Sequence, residues 1–403
     1  MVAKQNVDFD GVKVIQIINR YLNFGGEENS ANRMAKHIQE GGAELKRFVR
    51  SSEEWMIDGA PPKWKQPFLL GYNTAVLSEL AEQHKAFKAD VWILHNVLPV
   101  VSIGVYKLAR ELDVPVVQWL HNYRPLSLTG HLSIPGTLLK TTDSNIHLRE
   151  MIAGAWNGRA RTAALAFWYA WARHAGWFRS VTKWVAVSEK MRQNFEDANW
   201  FPDRLEALHH SWDLGEPVTE TRSANKFLFL GRLMEEKGIL ELIEVFSTPS
   251  MEGLELVIAG DGPLKDYIAS LEQRNIRYVG WVSGTEKKKL IRQCSAVIFP
   301  SLWEEPLSTI AYEAYEQERP IISSDRGGMV EVITDCMTGR VLPVGDREIW
   351  RGALLELANN EELADTWGRN GCDWLKNNVS PQIWFGRFEE IINDAITQHK
   401  TYS

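Results

Sequence analysis

Cysteine is scarce in this chain. Cys294, Cys336 and Cys372 are the three in 403 residues, and none stands in a CxxC or Cys/His ligand spacing. Reduced, mostly buried thiols follow, and with them a reducing cytoplasm. Long apolar runs are lacking as well: no stretch approaches the roughly 18 apolar residues that a membrane span needs. The N-terminal MVAKQNVDFDGVKVIQII sets a charged, polar stretch before an apolar run too short and too interrupted for a signal peptide. The chain is therefore expected in the cytoplasm, and any membrane it meets is a surface on which it lies. Excess positive charge is missing too. The formal net charge is −7 at pH 7, which argues against nucleic acid as a main partner. One local absence runs the other way: between Met151 and Ser188 there is no Asp or Glu.

What is present is ordinary for a globular protein with real cores, 44% hydrophobic and 24% charged, over a length that favours two or three domains. Tryptophan is the exception, with 17 residues, several of them in the acid-free segment. Within residues 155–184, Arg159, Arg161, Arg173, Arg179 and Lys183 are interleaved with Trp156, Phe167, Trp168, Tyr169, Trp171, Trp177, Phe178 and Trp184. Such a mixture suits an anionic membrane surface, where aromatic rings sit at headgroup depth. It also suits a helix packed on a sheet, because Phe167, Trp168 and Tyr169 in succession wrap too far around a helix to leave a clean amphipathic face. Contact with a partner protein is the third reading.

Strand-like apolar runs alternate with helical sequence. In the first half the strand candidates are Lys13–Ile18, Asp90–His95, Val114–Leu120 and Trp184–Val187, with helices over 73–87 and Pro99–Leu112, and Leu205–His210 closes the half. Lys13–Ile18 runs into a loop with Gly25-Gly26 and then a helix from about Ser30, a unit in which glycines let the backbone approach a ligand. Residues 53–68 read as irregular, since Pro61-Pro62 blocks a helix. The polar stretch Asp213–Asn225 has the composition of a linker. Beyond it lie strands at Lys226–Leu230, Leu254–Ala259, Ile276–Val279, Ala296–Phe299, Pro320–Ser323 and Gly339–Leu342. Trp384, Phe385, Phe388, Ile391 and Ile392 then fall at the spacing of an amphipathic helix. The expectation is an α/β chain with an N-terminal Rossmann-like domain over 1–213, a second over 214–380, and a C-terminal helix over 381–403 that returns to the first.

Polar residues gather where strands end, the usual ligand edge of a parallel sheet. His121, Asn122 and Arg124 follow Val114–Leu120, and Arg232 and Lys237 follow Lys226–Leu230 in a loop where two cations suit a pyrophosphate. Residues 297–331 concentrate such features. The run Val297–Phe299 stops at Pro300, an acidic loop carries Glu304 and Glu305, and Ser308 stands where it can cap a helix that bears Glu313. A helix start beyond a strand end suits phosphate. At about 1.5 Å per residue Glu313 lies roughly 7 Å along that helix from Ser308, within reach of the sugar of a nucleotide.

Together GRLMEEKG, IAGDGP, FPSLWEEPLSTIAYEA, the Gly327-Gly328 loop with Glu331, and TGRVLPVGD resemble the retaining glycosyltransferases of family four, whose fold is GT-B. Glu305 and Glu313 match that family's Glu-x7-Glu signature. In the first domain the resemblance is looser and rests on Gly25-Gly26, with Glu28 in the following GGxE position, and on His121. Where the family has Phe-Gly-Leu after the first Glu, this chain has Leu307-Ser308-Thr309.

The resemblance implies two doubly wound domains facing an interdomain cleft. It further implies that Arg232 and Lys237 bind a diphosphate, that Glu313 takes ribose hydroxyls and that Glu305 takes those of the transferred sugar. The backbone at Leu307, Ser308 and Thr309 would meet the phosphate, Gly25 and Gly26 would approach the donor, and His121 would lie near the reaction centre. Catalysis then falls to His121, Glu305, Arg232 and Lys237, with no metal and no cofactor, a nucleoside-diphosphate sugar serving as co-substrate. Asp8-Phe9-Asp10 has the DxD letters of metal-dependent transferases but precedes the first strand and is assigned no metal. The expected activity is hexosyl transfer to a glycan or lipid-linked glycan in bacterial surface polysaccharide synthesis in the cytoplasm; of the readings open for residues 155–184, the membrane one would place it on the cytoplasmic face. A sugar phosphorylase or another enzyme on the same fold is the alternative, and a non-catalytic scaffold a further one.

Overall fold

The computed structural model describes residues 9–22, 25–134, 137–143 and 145–402, so Asp8 of the DxD letters lies outside the described residues. The chain divides into two compact units, Met1–Ser211 with Pro381–Ser403, and Trp212–Ser380.

The first unit is built on strands β1 (Lys13–Arg20), β2 (Glu44–Ser51), β3 (Val91–Leu94), β4 (Val116–Leu120), β7 (Val181–Ala186) and β8 (Leu205–Ala207). They form one parallel sheet in the order β2-β1-β3-β4-β7-β8, and β5 (Ser133–Ile134) and β6 (Thr137–Leu138) pair separately. Its helices are α1 (Gly26–Glu40), α2 (Gln66–Gly71), α3 (Thr74–Phe87), α4 (Gly104–Glu111), α5 (Ile146–Ala153), α6 (Arg159–His174) and α7 (Glu189–Asp197). Strands covered on both faces are apolar throughout. All of β3 and β4 is buried accordingly, and the side-chain amide nitrogen of Gln16 in β1 donates inside to the carbonyl of Ala31 at 2.8 Å. Strand β2 was not foreseen. It is the sheet's edge, Phe48 is its buried residue, and its Lys and Arg side chains are of the kind that discourage further pairing.

The second unit contains β9 (Lys226–Leu230), β10 (Glu255–Ala259), β11 (Ile276–Gly280), β12 (Ala296–Phe299), β13 (Ile321–Ser324) and β14 (Gly339–Leu342). Its helices are α8 (Ile239–Phe246), α9 (Lys265–Ala269), α10 (Gly284–Gln293), α11 (Ile310–Glu316), α12 (Met329–Val332), α13 (Arg347–Ala358) and α14 (Glu361–Asn378). The sheet is parallel in the order β11-β10-β9-β12-β13-β14. Counted within the unit this is the doubly wound arrangement whose strand order reverses between its first and fourth strands, here β9 and β12, and the crevice at that reversal is where such sheets bind ligands.

Helix α15 (Pro381–Tyr402) belongs to the first unit. Trp384 stacks on Phe388 with centroids 4.8 Å apart, both rings lie about 6.1 Å from Trp119, and the indole N–H of Trp384 donates to the His209 carbonyl at 2.8 Å. Its apolar stripe is thereby buried.

Three expectations need correction. Helix α1 begins at Gly26 rather than near Ser30: Gly25 is extended at the N-cap, and Glu27 and Glu28 in the first turn favour the positive end of the helix. Helix α11 begins at Ile310 with Thr309 at its N-cap, and the hydroxyl of Ser308 lies 3.4 Å from the Ile310 N–H, too long for a good cap. Residues 53–68 are not wholly irregular, because α2 starts at Gln66 with Pro67 in its first turn, where the missing N–H costs nothing.

The acid-free segment splits between its readings. Tyr169, Trp177, Phe178 and Trp184 are buried, with Phe178 edge-on to Trp184 at 5.8 Å, while Phe167 and Trp171 on the same helix are 57% and 46% exposed.

Replacing Trp384 by Ala should destabilise the first unit by about 3–5 kcal/mol in urea denaturation. Ile383→Ala beside it, where the side chain is exposed, should cost under about 1 kcal/mol.

Candidate functional site

The two strands that flank the reversal in the second unit carry the two charged loops. After β9 the chain passes Arg232, which is exposed, and Lys237, which is buried, before Gly238 opens α8. Gly238 has φ 69° and faces the carbonyl of Pro300, where any Cβ would collide. This close approach lays the β9 loop on the end of β12, reinforced by the Leu302 N–H donating to Glu236 O at 2.9 Å. The turn after β10 braces the same loop, its Asp261 carbonyl accepting from Leu233 N at 2.9 Å.

Lys237 and Glu305 meet in an ion pair, and the ammonium lies 5.4 Å from the ring centroid of Phe299 and 5.5 Å from that of Trp303. Aromatic faces favour a cation there. The loop after β13 completes the corner. Gly328 N donates to Glu305 O at 2.8 Å and Gly327 N to the Glu304 carboxylate at 3.1 Å, while Gly327, at φ 62°, is pressed on Glu305 so closely that a side chain has no room. Leu307 is buried, and Ser308 and Thr309 are half-buried beside it. Glu313 in α11 is held by Lys287 of α10 at 2.7 Å. Arg232, Lys237, Glu305 and Glu313 thus fall in one unit, at one end of one sheet. Two cations and several carboxylate acceptors at that edge can hold an anion together with hydroxyl groups.

In the first unit His121 follows β4 as expected and joins a chain of imidazoles. Its Nε2 lies 2.9 Å from Nδ1 of His95, whose Nε2 is 3.0 Å from the Gln16 amide nitrogen. With that amide as donor, His95 carries its proton on Nδ1 and gives it to His121 Nε2, leaving the proton of a neutral His121 on Nδ1. His210 stacks on His121 at 5.9 Å and is bonded to Ser30 of α1 at 2.8 Å. Burial pushes His121 down to about 3 and His95 well below the usual imidazole range, with neighbouring charges adding to the effect.

Gly25 is the N-cap of α1, and the space where a Cβ of Gly26 would point is open. Glu28 is buried and paired with Arg20 at 2.7 Å. Its neighbour Glu27 accepts from Asn96 N at 3.0 Å and lines a cavity with His95, His121, Asn122 and Arg124, and burial pushes its carboxyl up to about 7.

Sequence reasoning missed Lys287, Glu27, His95 and His210. Lys287 stands in a run of three lysines that looks like any solvated helix face. His95 had a usable signal, since it follows the end of β3 as His121 follows β4.

Residues 216–374, nearly all of the second unit, match the family described as Glycosyl transferases group 1, so this part of the chain is a glycosyl transferases group 1 domain. Among curated proteins the chain is similar to an O-antigen chain mannosyltransferase C of Escherichia coli, 32% identical over 47% of this chain and 53% of that protein. It is also similar to an alpha-D-kanosaminyltransferase of Streptomyces kanamyceticus, 29% identical over 66% and 67%. For the first four relatives the matched part spans 53, 40, 42 and 46% of their length, about half of each. Among solved structures, Anabaena Alr3699/HepE in complex with UDP-glucose superposes with TM-score 0.63 at 14% identity, over 97% of this chain and 100% of that one. The fold is therefore that of the GT-B glycosyltransferases, two Rossmann-like halves each with a parallel sheet.

The depressed histidines set a pH dependence. An unfolded imidazole titrates near 6.5. Between there and about pH 3 the unfolded chain holds a proton that folded His121 does not, so stability falls as pH drops through this window. The slope is up to about 1.4 kcal/mol per pH unit for each such histidine. Urea denaturation at pH 7 and pH 5 should show the loss, and His121→Asn should make it shallower. An unchanged slope would contradict a buried neutral His121.

Proposed function

We propose that this protein is a retaining, metal-independent hexosyltransferase that moves a hexosyl unit from a nucleoside-diphosphate sugar to a glycan or lipid-linked glycan in bacterial surface polysaccharide synthesis. The observation that carries this is the Lys237–Glu305 pair, with Arg232 in the same β9 loop and Glu313 on the helix after β12, at the strand-order reversal of a glycosyl transferases group 1 domain. The similarity to an O-antigen chain mannosyltransferase supports the choice of acceptor class, and that of a fold neighbour bound to UDP-glucose supports the choice of donor.

On this reading Arg232 and Lys237 hold the diphosphate and stabilise the charge it gains as it leaves. Lys237 is aimed by its ion pair with Glu305, whose remaining lone pairs accept from hydroxyls of the transferred sugar. Glu313 accepts from the ribose hydroxyls, and Lys287 is a positioning residue that sets its carboxylate. The backbone at Leu307, Ser308 and Thr309, with Gly25 and Gly26, allows close approach to the donor. Neutral His121 offers its Nδ1–H to the sugar as a hydrogen-bond donor without placing a cation beside the anomeric carbon. That carbon loses its bond to the phosphate oxygen and gains one to the acceptor oxygen on the same face. The departing oxygen takes the acceptor's proton, so neither protein nucleophile nor metal is needed. The work takes place in the cytoplasm, at the membrane face where lipid-linked acceptors are held.

Loss of one charge-assisted contact costs about 1.5–3 kcal/mol, roughly tenfold or more. Lys237→Ala and Arg232→Ala should each slow transfer at least tenfold, and full activity in either would remove the donor-site assignment. Lys287→Ala should raise KM for the donor several-fold and leave KM for the acceptor unchanged. Product anomers should keep the donor's configuration, with activity retained in excess EDTA. Release of a sugar phosphate on addition of inorganic phosphate would instead identify a phosphorylase.

A further inference from the structure

Among the described residues of the first unit, the four most exposed aromatic side chains come from two segments far apart in the chain. On α6, Phe167 and Trp171 are 57% and 46% exposed and stack on each other with centroids 6.3 Å apart. At and just before α2, Trp64 and Phe68 are 68% and 65% exposed. The two helices are clamped together: the Trp168 indole N–H donates to Pro67 O at 2.9 Å, its ring fills the space over Gly71, and Arg161 donates to the Gln66 side chain at 2.6 Å. Phe167 and Phe68 are the chain neighbours of the two residues in the Trp168–Pro67 bond, so the exposed rings flank a single seam. Exposed apolar residues scattered singly need no explanation, but a group of large rings around one seam does.

Charge narrows what could cover it. Neither residues 59–78 nor residues 151–188 contain an Asp or Glu, although the chain carries −7 overall. Lys63, Lys65, Arg159 and Arg179 are exposed in these same segments, and the Lys65 ammonium lies 5.2 Å from the centroid of the Trp64 ring. A second copy docked on this face about a twofold axis would set these cations against themselves. No helix among the described residues is long and apolar enough to cross a membrane, so a lipid contact here lies in the plane of the surface.

We propose that the seam between α2 and α6 is a docking face for an anionic lipid bilayer. The rings of Trp64, Phe68, Phe167 and Trp171 enter the headgroup region, and Lys63 and Lys65 meet lipid phosphates. It deepens the reading of a lipid-linked acceptor by naming the surface that meets the membrane, yet its test involves no turnover.

The test is flotation of the full chain with vesicles of phosphatidylcholine alone or mixed with phosphatidylglycerol, with neither donor nor acceptor present. Binding is expected to the anionic vesicles, weak on the neutral ones, and released by salt. The pairs Phe68→Ser with Trp171→Ser, and Lys63→Glu with Lys65→Glu, should each weaken it at least tenfold while the circular dichroism spectrum is kept. Failure of the native chain to float, or equal flotation of both variants, would overturn the proposal. So would lipid-free self-association in sedimentation that the ring variant abolishes, which would make the seam an interface between copies. A chain that floats but transfers no sugar would count against the transferase reading alone.

Discussion

The ion pair between Lys237 and Glu305 holds the second unit's ligand edge together. A parallel sheet delivers its loops to one end but does not by itself fix them to one another. Here the loops after β9, β12 and β13 are joined through one residue: Glu305 takes Lys237 on its side chain and Gly328 on its carbonyl. Bringing two opposite charges partly out of water carries a desolvation penalty that good geometry must offset. The geometry is supplied by close backbone approach at Gly238 and Gly327 and by the faces of Phe299 and Trp303. Take away either charge and the other is left largely buried without its ion-pair partner, so the pair resists change at both positions.

The first unit handles its polar interior in the opposite manner. His95, His121 and His210 are packed face to face, and burial keeps His95 and His121 neutral. His95 and His121 share a hydrogen bond and His210 stacks on the second, an arrangement that tolerates neutral rings better than charged ones. One unit thus presents fixed ions and the other neutral, oriented dipoles.

Much of the fold was legible because strands buried on both faces have few alternatives. Lys226–Leu230 and Ala296–Phe299, adjacent strands at the centre of the second sheet, were read to the residue, each a short apolar run bounded by polar or turn residues. Strand β2 was illegible for the converse reason, since an edge with one buried side chain and several charges has neither the apolar run nor the clean alternation of a strand. At the site, Arg232, Lys237, Glu305 and Glu313 could be picked out because each follows a strand end or sits on the helix after one. Lys287 could not, because its partner Glu313 lies 26 positions away on another helix and only tertiary packing joins them. Ser308 was misplaced as a cap because residue type alone was used, whereas the helix starts one residue later, with Thr309 at its N-cap, and leaves the Ser308 hydroxyl 3.4 Å from the Ile310 N–H. The split of α6 into buried and exposed rings was likewise beyond the sequence, because it depends on where α2, from about a hundred residues earlier in the chain, comes to rest.

Helix α15 has a consequence for the birth of the molecule. Its Trp384 and Phe388 complete the packing around Trp119 and His37, residues translated long before it. Domains generally fold in the order in which the ribosome releases them, at roughly 5–20 residues per second. Here the earlier-made unit must wait, its apolar seat for α15 uncovered, while the later-made one is synthesised and is free to close first. For that interval, on the order of ten seconds or more at those rates, the nascent first unit leaves the aromatic seat around Trp119 and His37 uncovered, and its completion is tied to a helix made only after the whole second unit.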